Sequence, residues 1–109
     1  MIIKFENIEP TVMKNFYGGE KELSALMFLD DMNRIMKATL VPGASIGFHK
    51  HETSSEILLI LSGNGKVVYE DHESFINEGE CHYCKKGVSH SLVNTGDKDL
   101  VFFAVVPQQ

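Results

Sequence analysis

An antiparallel all-β fold, a sandwich or a barrel, is predicted by three observations. From Arg34 onward, short strand-like runs alternate with turn signals every eight to twelve residues or so, the rhythm of sandwiches and barrels. No segment keeps a 3.6-residue apolar period over three turns, which excludes a helical bundle. Residues 57–61 (ILLIL) and 100–107 (LVFFAVVP) are apolar at consecutive positions, where an antiparallel strand with one wet face would alternate.

The elements follow in order. Residues 2–5 can form a short edge strand, and Glu9-Pro10 and Gly18-Gly19 break the pattern after it. Residues 23–29 (LSALMFL) read as a strand or a short buried segment, and the polar run 30–33 as a turn. Residues 34–41 (RIMKATLV) put Met36, Ala38 and Leu40 on one face of a strand. Pro42-Gly43 turns the chain, residues 45–51 form the next strand, and a polar loop at 52–55 leads into the apolar strand 56–62. Gly63-Asn64-Gly65 reads as a tight turn from which residues 66–70 pair back as a hairpin. Short strands at 74–77, 81–84 and 90–94 are separated by turns at Glu78-Gly79 and Lys85-Lys86-Gly87, and a polar loop at 95–99 precedes the last strand.

At 109 residues the chain is expected to be one domain, 1–109, with a single core. Its apolar fraction of 43% and charged fraction of 23% are those of an ordinary globular protein. The formal charge is −5, and no basic stripe marks a nucleic-acid partner. No run approaches the roughly 18 apolar residues of a membrane span, and the first ten residues hold no signal-peptide core. The expected location is cytoplasmic. Cys81 and Cys84 lie three apart in CHYC, on opposite faces of a strand, which suits two reduced thiols better than a disulfide or a shared metal.

The chemistry concentrates in residues 43–63, GASIGFHKHETSSEILLILSG. On an extended strand His49 and His51 share a face, and Glu56 opens the next strand as a third ligand. Imidazole nitrogen with carboxylate oxygen suits a divalent first-row metal such as Mn, Fe, Co, Ni or Zn. A second stretch, residues 79–94 (GECHYCKKGVSHSLVN), supplies another histidine, His90.

At these residues the sequence resembles the cupin superfamily. Gly43, His49, His51, Glu56 and Gly63 match the family's first motif (43–63) with every spacing intact. Gly79, Gly87, His90 and Asn94 match its second (79–94), with Lys85 where proline is usual. The resemblance implies a small single-domain cupin, a double-stranded β-helix or jelly-roll barrel, with His49, His51, Glu56 and His90 as metal ligands. Gly63 and Gly87 would then be turn residues and Asn94 a structural polar residue. Lysine at position 85 loosens a turn and leaves the ligand set intact. Three imidazoles and one carboxylate leave about two positions open on a six-coordinate metal, where water, dioxygen or a bidentate substrate would bind.

Alternation predicts a pocket lined by Met36, Ala38, Leu40, Leu58, Ile60, Leu92, Phe102 and Ala104, and turns Ile46, Phe48 and Lys50 away from the histidines unless a bulge intervenes. His82 and Cys84 share the inward face of their strand. His82 reads either as a partner of the ligands or acid–base group, or more simply as a buried histidine bonded to backbone or water. Glu52, in the loop beside the site, is the other acid–base candidate, and His72 is a solvated turn residue. No arginine is evident as a grip for carboxylate or phosphate, so a small, weakly polar or aromatic ligand is expected.

Two functions fit. One is an enzyme, a metal-dependent dioxygenase, isomerase or decarboxylase. The other is a non-catalytic, metal-dependent small-molecule binder or sensor. The two-faced apolar strands predict a homodimer, because an open LVFFAVV face would be an aggregation hazard.

Overall fold

The computed structural model describes residues 1–109. Ten strands form: β1 (Thr11–Lys14), β2 (Glu22–Leu29), β3 (Asn33–Leu40), β4 (Ser45–Lys50), β5 (Glu56–Ser62), β6 (Asn64–Val68), β7 (Glu73–Asn77), β8 (Cys81–Cys84), β9 (Ser89–Val93) and β10 (Leu100–Pro107). Two single 3₁₀ turns, Phe5–Asn7 and Phe16–Gly18, are the only helical elements. No helix is long and apolar enough to cross a membrane.

The strands make two antiparallel sheets, one of six in the order β1-β2-β3-β10-β5-β8 and one of four in the order β4-β9-β6-β7. Facing sheets of this kind make a jelly-roll barrel, whose interior takes every second residue of each strand. On β10, Leu100, Phe102, Ala104 and Val106 are buried while the residues between them are only partly covered. On β5, Glu56, Leu58 and Ile60 point in, and Ile57, Leu59 and Leu61 point out. Met36, Ala38, Leu40, Leu58, Ile60, Leu92, Phe102 and Ala104 belong to one continuous core cluster with Leu23, Ala25, Ile46, Val67 and Leu100.

Two local expectations are corrected. Residues 2–5 form no strand. The N-terminal segment turns as a 3₁₀ helix at Phe5–Asn7, and Phe5 packs edge-on against Phe103 at 6.2 Å between centroids. Residues 66–70 do not fold back on β5. At Gly63, whose φ of 88° suits glycine, the chain leaves the six-stranded sheet, and β6 joins β7 and β9 in the other. The alternation of β4 also breaks. Ile46 pairs with Leu92 but His49 pairs with His90, so one extra residue is accommodated between them. That bulge lets Ile46 and His49, three apart, both face inward.

Candidate metal centre

Four side chains converge at one end of the barrel. His49 comes from β4, His51 from just beyond it, Glu56 from the start of β5 and His90 from β9. The end of β4 is pinned by backbone: the His51 N–H donates to the Val88 carbonyl at 3.1 Å, and its own carbonyl accepts from Gly87 N–H at 2.6 Å. The turn of the second motif therefore holds the histidine of the first.

His51 Nε2 lies 3.2 Å from His49 Nε2, 2.9 Å from His90 Nε2 and 3.3 Å from Glu56 Oε1. His90 Nε2 is 3.0 Å from the same carboxylate oxygen. Neighbouring ligands on an octahedral metal with bonds of about 2.1 Å stand about 3 Å apart. All four candidate donors fall within 4.8 Å of one another, a group that could hold a metal ion.

Hydrogen bonding at the far side of each ring fits the same reading. His49 Nδ1 is 2.7 Å from the Gly47 carbonyl, which only accepts, so Nδ1 carries the proton and Nε2 presents a lone pair. His51 Nδ1 is 3.1 Å from Ser54 Oγ, and His90 Nδ1 is 2.9 Å from His82 Nε2. Burial lowers the pKa of His49, against the hydrogen bond to Gly47. Burial opposes ionisation of Glu56, but hydrogen bonds from His51 and His90 outweigh it and bring its carboxyl down to about 2. An anionic carboxylate and lone pairs aimed at one buried point repel one another unless a cation or protons lie between them.

In front of the cluster lies a cavity of about 410 Å³ bordered by Tyr17, Arg34, His49, His51, Glu52, Ser54 and Val106 among others. It narrows to a pocket of about 20 Å³ that reaches Glu56, Met36 and Ile46. Of the eight apolar residues expected at the pocket, Met36 borders this cavity, and the other seven pack in the core behind it. Glu52 stands exposed at the mouth. His82 is buried behind His90, where burial lowers its pKa to about 4. Cys84 is buried, its thiol pushed up to about 11 by burial and then by Glu56, while Cys81 is exposed. His72 is exposed and pairs with Asp71 at 2.6 Å.

Two residues of the site escape the sequence reading. Arg34 borders both the outer and inner cavity, makes no ion pair with a protein carboxylate, and buries an Nε without an acceptor. This corrects the expectation of a site without an arginine. The signal was present, since Arg34 has the parity of Met36 and Ala38 on β3. Tyr17 stacks flat on His49, with centroids 4.1 Å apart and planes 9° from parallel. It arrives on the short 3₁₀ turn Phe16–Gly18, whose backbone departs from helical geometry at Tyr17 itself, and no sequence pattern announces it.

The model of the family described as "Cupin domain" matches residues 36–106. A protein of Thermotoga maritima named "Oxalate-binding protein" is 35% identical over 112 residues, covering 97% of this chain and 93% of that one. A crystal structure from Thermotoga maritima, described as a predicted oxalate decarboxylase, superposes with a TM-score of 0.92 at 33% identity over all of both chains. The polyketide cyclase RemF of Streptomyces resistomycificus shares the fold, with a TM-score of 0.82 at 19% identity over 100% of this chain and 80% of that one. With the family model spanning most of the sequence and a relative matching nearly its whole length, the chain belongs to the cupin family.

Proposed function

We propose that this protein binds a small dicarboxylate of the oxalate type at a divalent transition metal held by His49, His51, Glu56 and His90. The observation that carries the reading is the placement of Arg34 in the same narrow cavity as His49, His51 and Glu56, with a buried Nε that has no protein acceptor. A metal with two open positions suits one bidentate oxyanion. Arginine suits a carboxylate through charge-assisted hydrogen bonds. The relative named for oxalate binding supports the same ligand class. The constriction of about 20 Å³ favours a ligand with little bulk between its carboxylates. Mn, Fe, Co, Ni and Zn are all compatible with the donor set.

The metal would supply Lewis-acid polarisation of a carboxylate oxygen. The chain's own residues then bind and orient. Arg34 neutralises charge, Val106 and Met36 exclude water from one side, and Tyr17 covers His49. A second reading, decarboxylation, is favoured by the 33%-identical structure's description as a predicted oxalate decarboxylase. Glu52 at the mouth is the acid–base candidate for that chemistry.

Calorimetry with Mn(II) followed by oxalate tests the reading. Stoichiometric metal uptake is expected, with oxalate binding only to the loaded protein. His51→Ala should abolish metal binding without unfolding the chain. Arg34→Met should keep the metal and weaken oxalate at least about tenfold, the cost of losing a hydrogen bond to a charged group. Metal-independent oxalate binding, or an unaffected Arg34→Met, would defeat it. Release of formate and carbon dioxide from bound oxalate would move the protein from binder to enzyme.

A further inference from the structure

A second polar track runs from His90 away from the centre, and the binding reading gives no role to its other members, His82 and Tyr69. His90 on β9 and His82 on β8 belong to opposite sheets, and their rings meet inside the barrel. His90 Nδ1 is 2.9 Å from His82 Nε2, and His82 Nδ1 is 3.2 Å from the Tyr69 hydroxyl. Both histidines are buried, and Tyr69 is partly exposed. Tyr69 and His82 border a separate cavity of about 230 Å³, together with Val67, Phe75 and Ile76. None of its lining residues borders the cavity in front of the four candidate ligands.

The protons of this chain are not independent. A neutral imidazole has one N–H and one lone pair. His90 Nε2 is the atom that faces His51 and Glu56, so it can take a metal only if Nδ1 holds the proton. A protonated Nδ1 needs an acceptor, and the group within reach is His82 Nε2. The proton of His82 then sits on Nδ1 and is donated to Tyr69 Oη, whose own O–H is free to turn toward the second cavity. In the opposite arrangement His82 Nε2–H donates to His90 Nδ1. The proton of His90 then lies on Nε2, pointed at the centre, where it blocks coordination.

We infer that His82 is a positioning residue for the metal centre: by accepting from His90 Nδ1–H it holds His90 in the one tautomer that leaves Nε2 open to a metal, with Tyr69 completing the chain at the far opening. The inference rests on the metal-binding reading above. It goes beyond that reading by giving a role to two residues that touch neither metal nor ligand. Groups that fix a ligating histidine in this way commonly change metal affinity by about 10–100-fold when removed.

The test is Zn(II) affinity, by competition with a chromophoric chelator, of wild type, His82→Leu, His82→Gln and Tyr69→Phe, with folding checked by circular dichroism without metal. His82→Leu removes the acceptor and should weaken zinc about 10–100-fold. His82→Gln places an amide oxygen near the former Nε2 and should recover most of that loss, a rescue that a space-filling role would not give. Tyr69→Phe should change affinity by less than about threefold, since water from the second cavity can replace the hydroxyl. Nitrogen-15 spectra of the zinc-loaded wild type need no variant, and should show His90 and His82 both protonated at Nδ1. Two folding variants of His82 that bind zinc like wild type, or a glutamine no better than leucine, would overturn the inference. So would a His90 coordinated through Nδ1. If wild type itself binds no zinc, the metal reading fails instead, and the two failures are distinct.

Discussion

A ring stacked on a ligand does two things at once: it limits how that ligand can tilt, and it takes up space that a substrate would otherwise use. Tyr17 does both. It is 54% exposed yet lies flat on His49 and borders both the outer cavity and the constriction behind it. Its backbone is also unusual for a residue with a side chain, with φ at 54° between a left-handed Asn15 and Gly18, a conformation that costs of order 1 kcal/mol or more. Tyr17→Ala should therefore widen the throat and relax selection by length. Malonate affinity relative to oxalate should rise by about tenfold, the scale on which pockets discriminate one methylene. Calorimetry with both ligands on the metal-loaded variant measures it, and an unchanged ratio would remove Tyr17 from specificity. The difference in legibility between residues has a physical origin. His49, His51, Glu56 and His90 are readable because strand geometry ties spacing to direction. Arg34 was readable by extending the inward parity of β3 two residues back from Met36. Tyr17 was not, because a loop residue's direction is set by what the loop packs against.

That packing belongs to the elements. The segment around Tyr17 crosses β4 with almost no clearance: a Cβ on Gly47 would stand 1.9 Å from the Tyr17 carbonyl oxygen, and one on Gly19 would stand 2.1 Å from the Ser45 carbonyl oxygen. Two glycines thus allow backbone to lie against backbone, and the Ser45 hydroxyl and Glu20 N–H close the crossing with a hydrogen bond of 2.8 Å. Gly47 also falls in the bulge between Ile46 and His49, and its carbonyl receives the His49 Nδ1 proton. Gly47→Ala should displace the crossing segment and disturb His49 together. Stability should fall by about 1–3 kcal/mol, the usual cost of overpacking, and metal should bind more weakly. Urea denaturation and zinc competition read the two effects, and an alanine variant with wild-type stability would mean that the segment does not lie against β4. The same bulge is the exception under which Ile46 leaves the face that simple alternation gives it. Alternation counts residues, and an inserted residue shifts the count without any signature in side-chain polarity. The course of β6 is hidden from the sequence for a related reason. Gly63-Asn64-Gly65 is compatible with a hairpin, but only pairing across the barrel with β9 decides that the chain changes sheets there.

At the scale of the whole molecule, the six-stranded sheet presents an apolar outer face. Ile57, Leu59 and Leu61 on β5 are 43%, 37% and 39% exposed, Tyr83 on the neighbouring β8 is 55% exposed, and Val101, Phe103 and Val105 on β10 are partly so. The N-terminal segment meets this face at Phe103 through Phe5, and leaves the β5 side chains open. The double-sided apolar strands legible in the sequence thus have one face in the core and one that the chain itself covers incompletely. An exposed surface of this kind is unfavourable unless another surface removes it from water, at about 25 cal/mol for each Å² buried. A second copy of the same sheet is the simplest complement, because a two-fold axis through β5 sets each apolar row against its own counterpart. We expect a homodimer burying at least about 1,000 Å², with mass by light scattering at micromolar concentration twice the 12.2 kDa of one chain. Leu59→Glu places two carboxylates near the axis, facing each other across a low-dielectric contact, and should give a folded monomer. Because Leu59 points away from the barrel interior, this monomer should bind zinc as the dimer does. A wild-type chain that elutes and scatters as a monomer would leave the face to some other partner. A Leu59→Glu variant that stays dimeric would move the interface off β5.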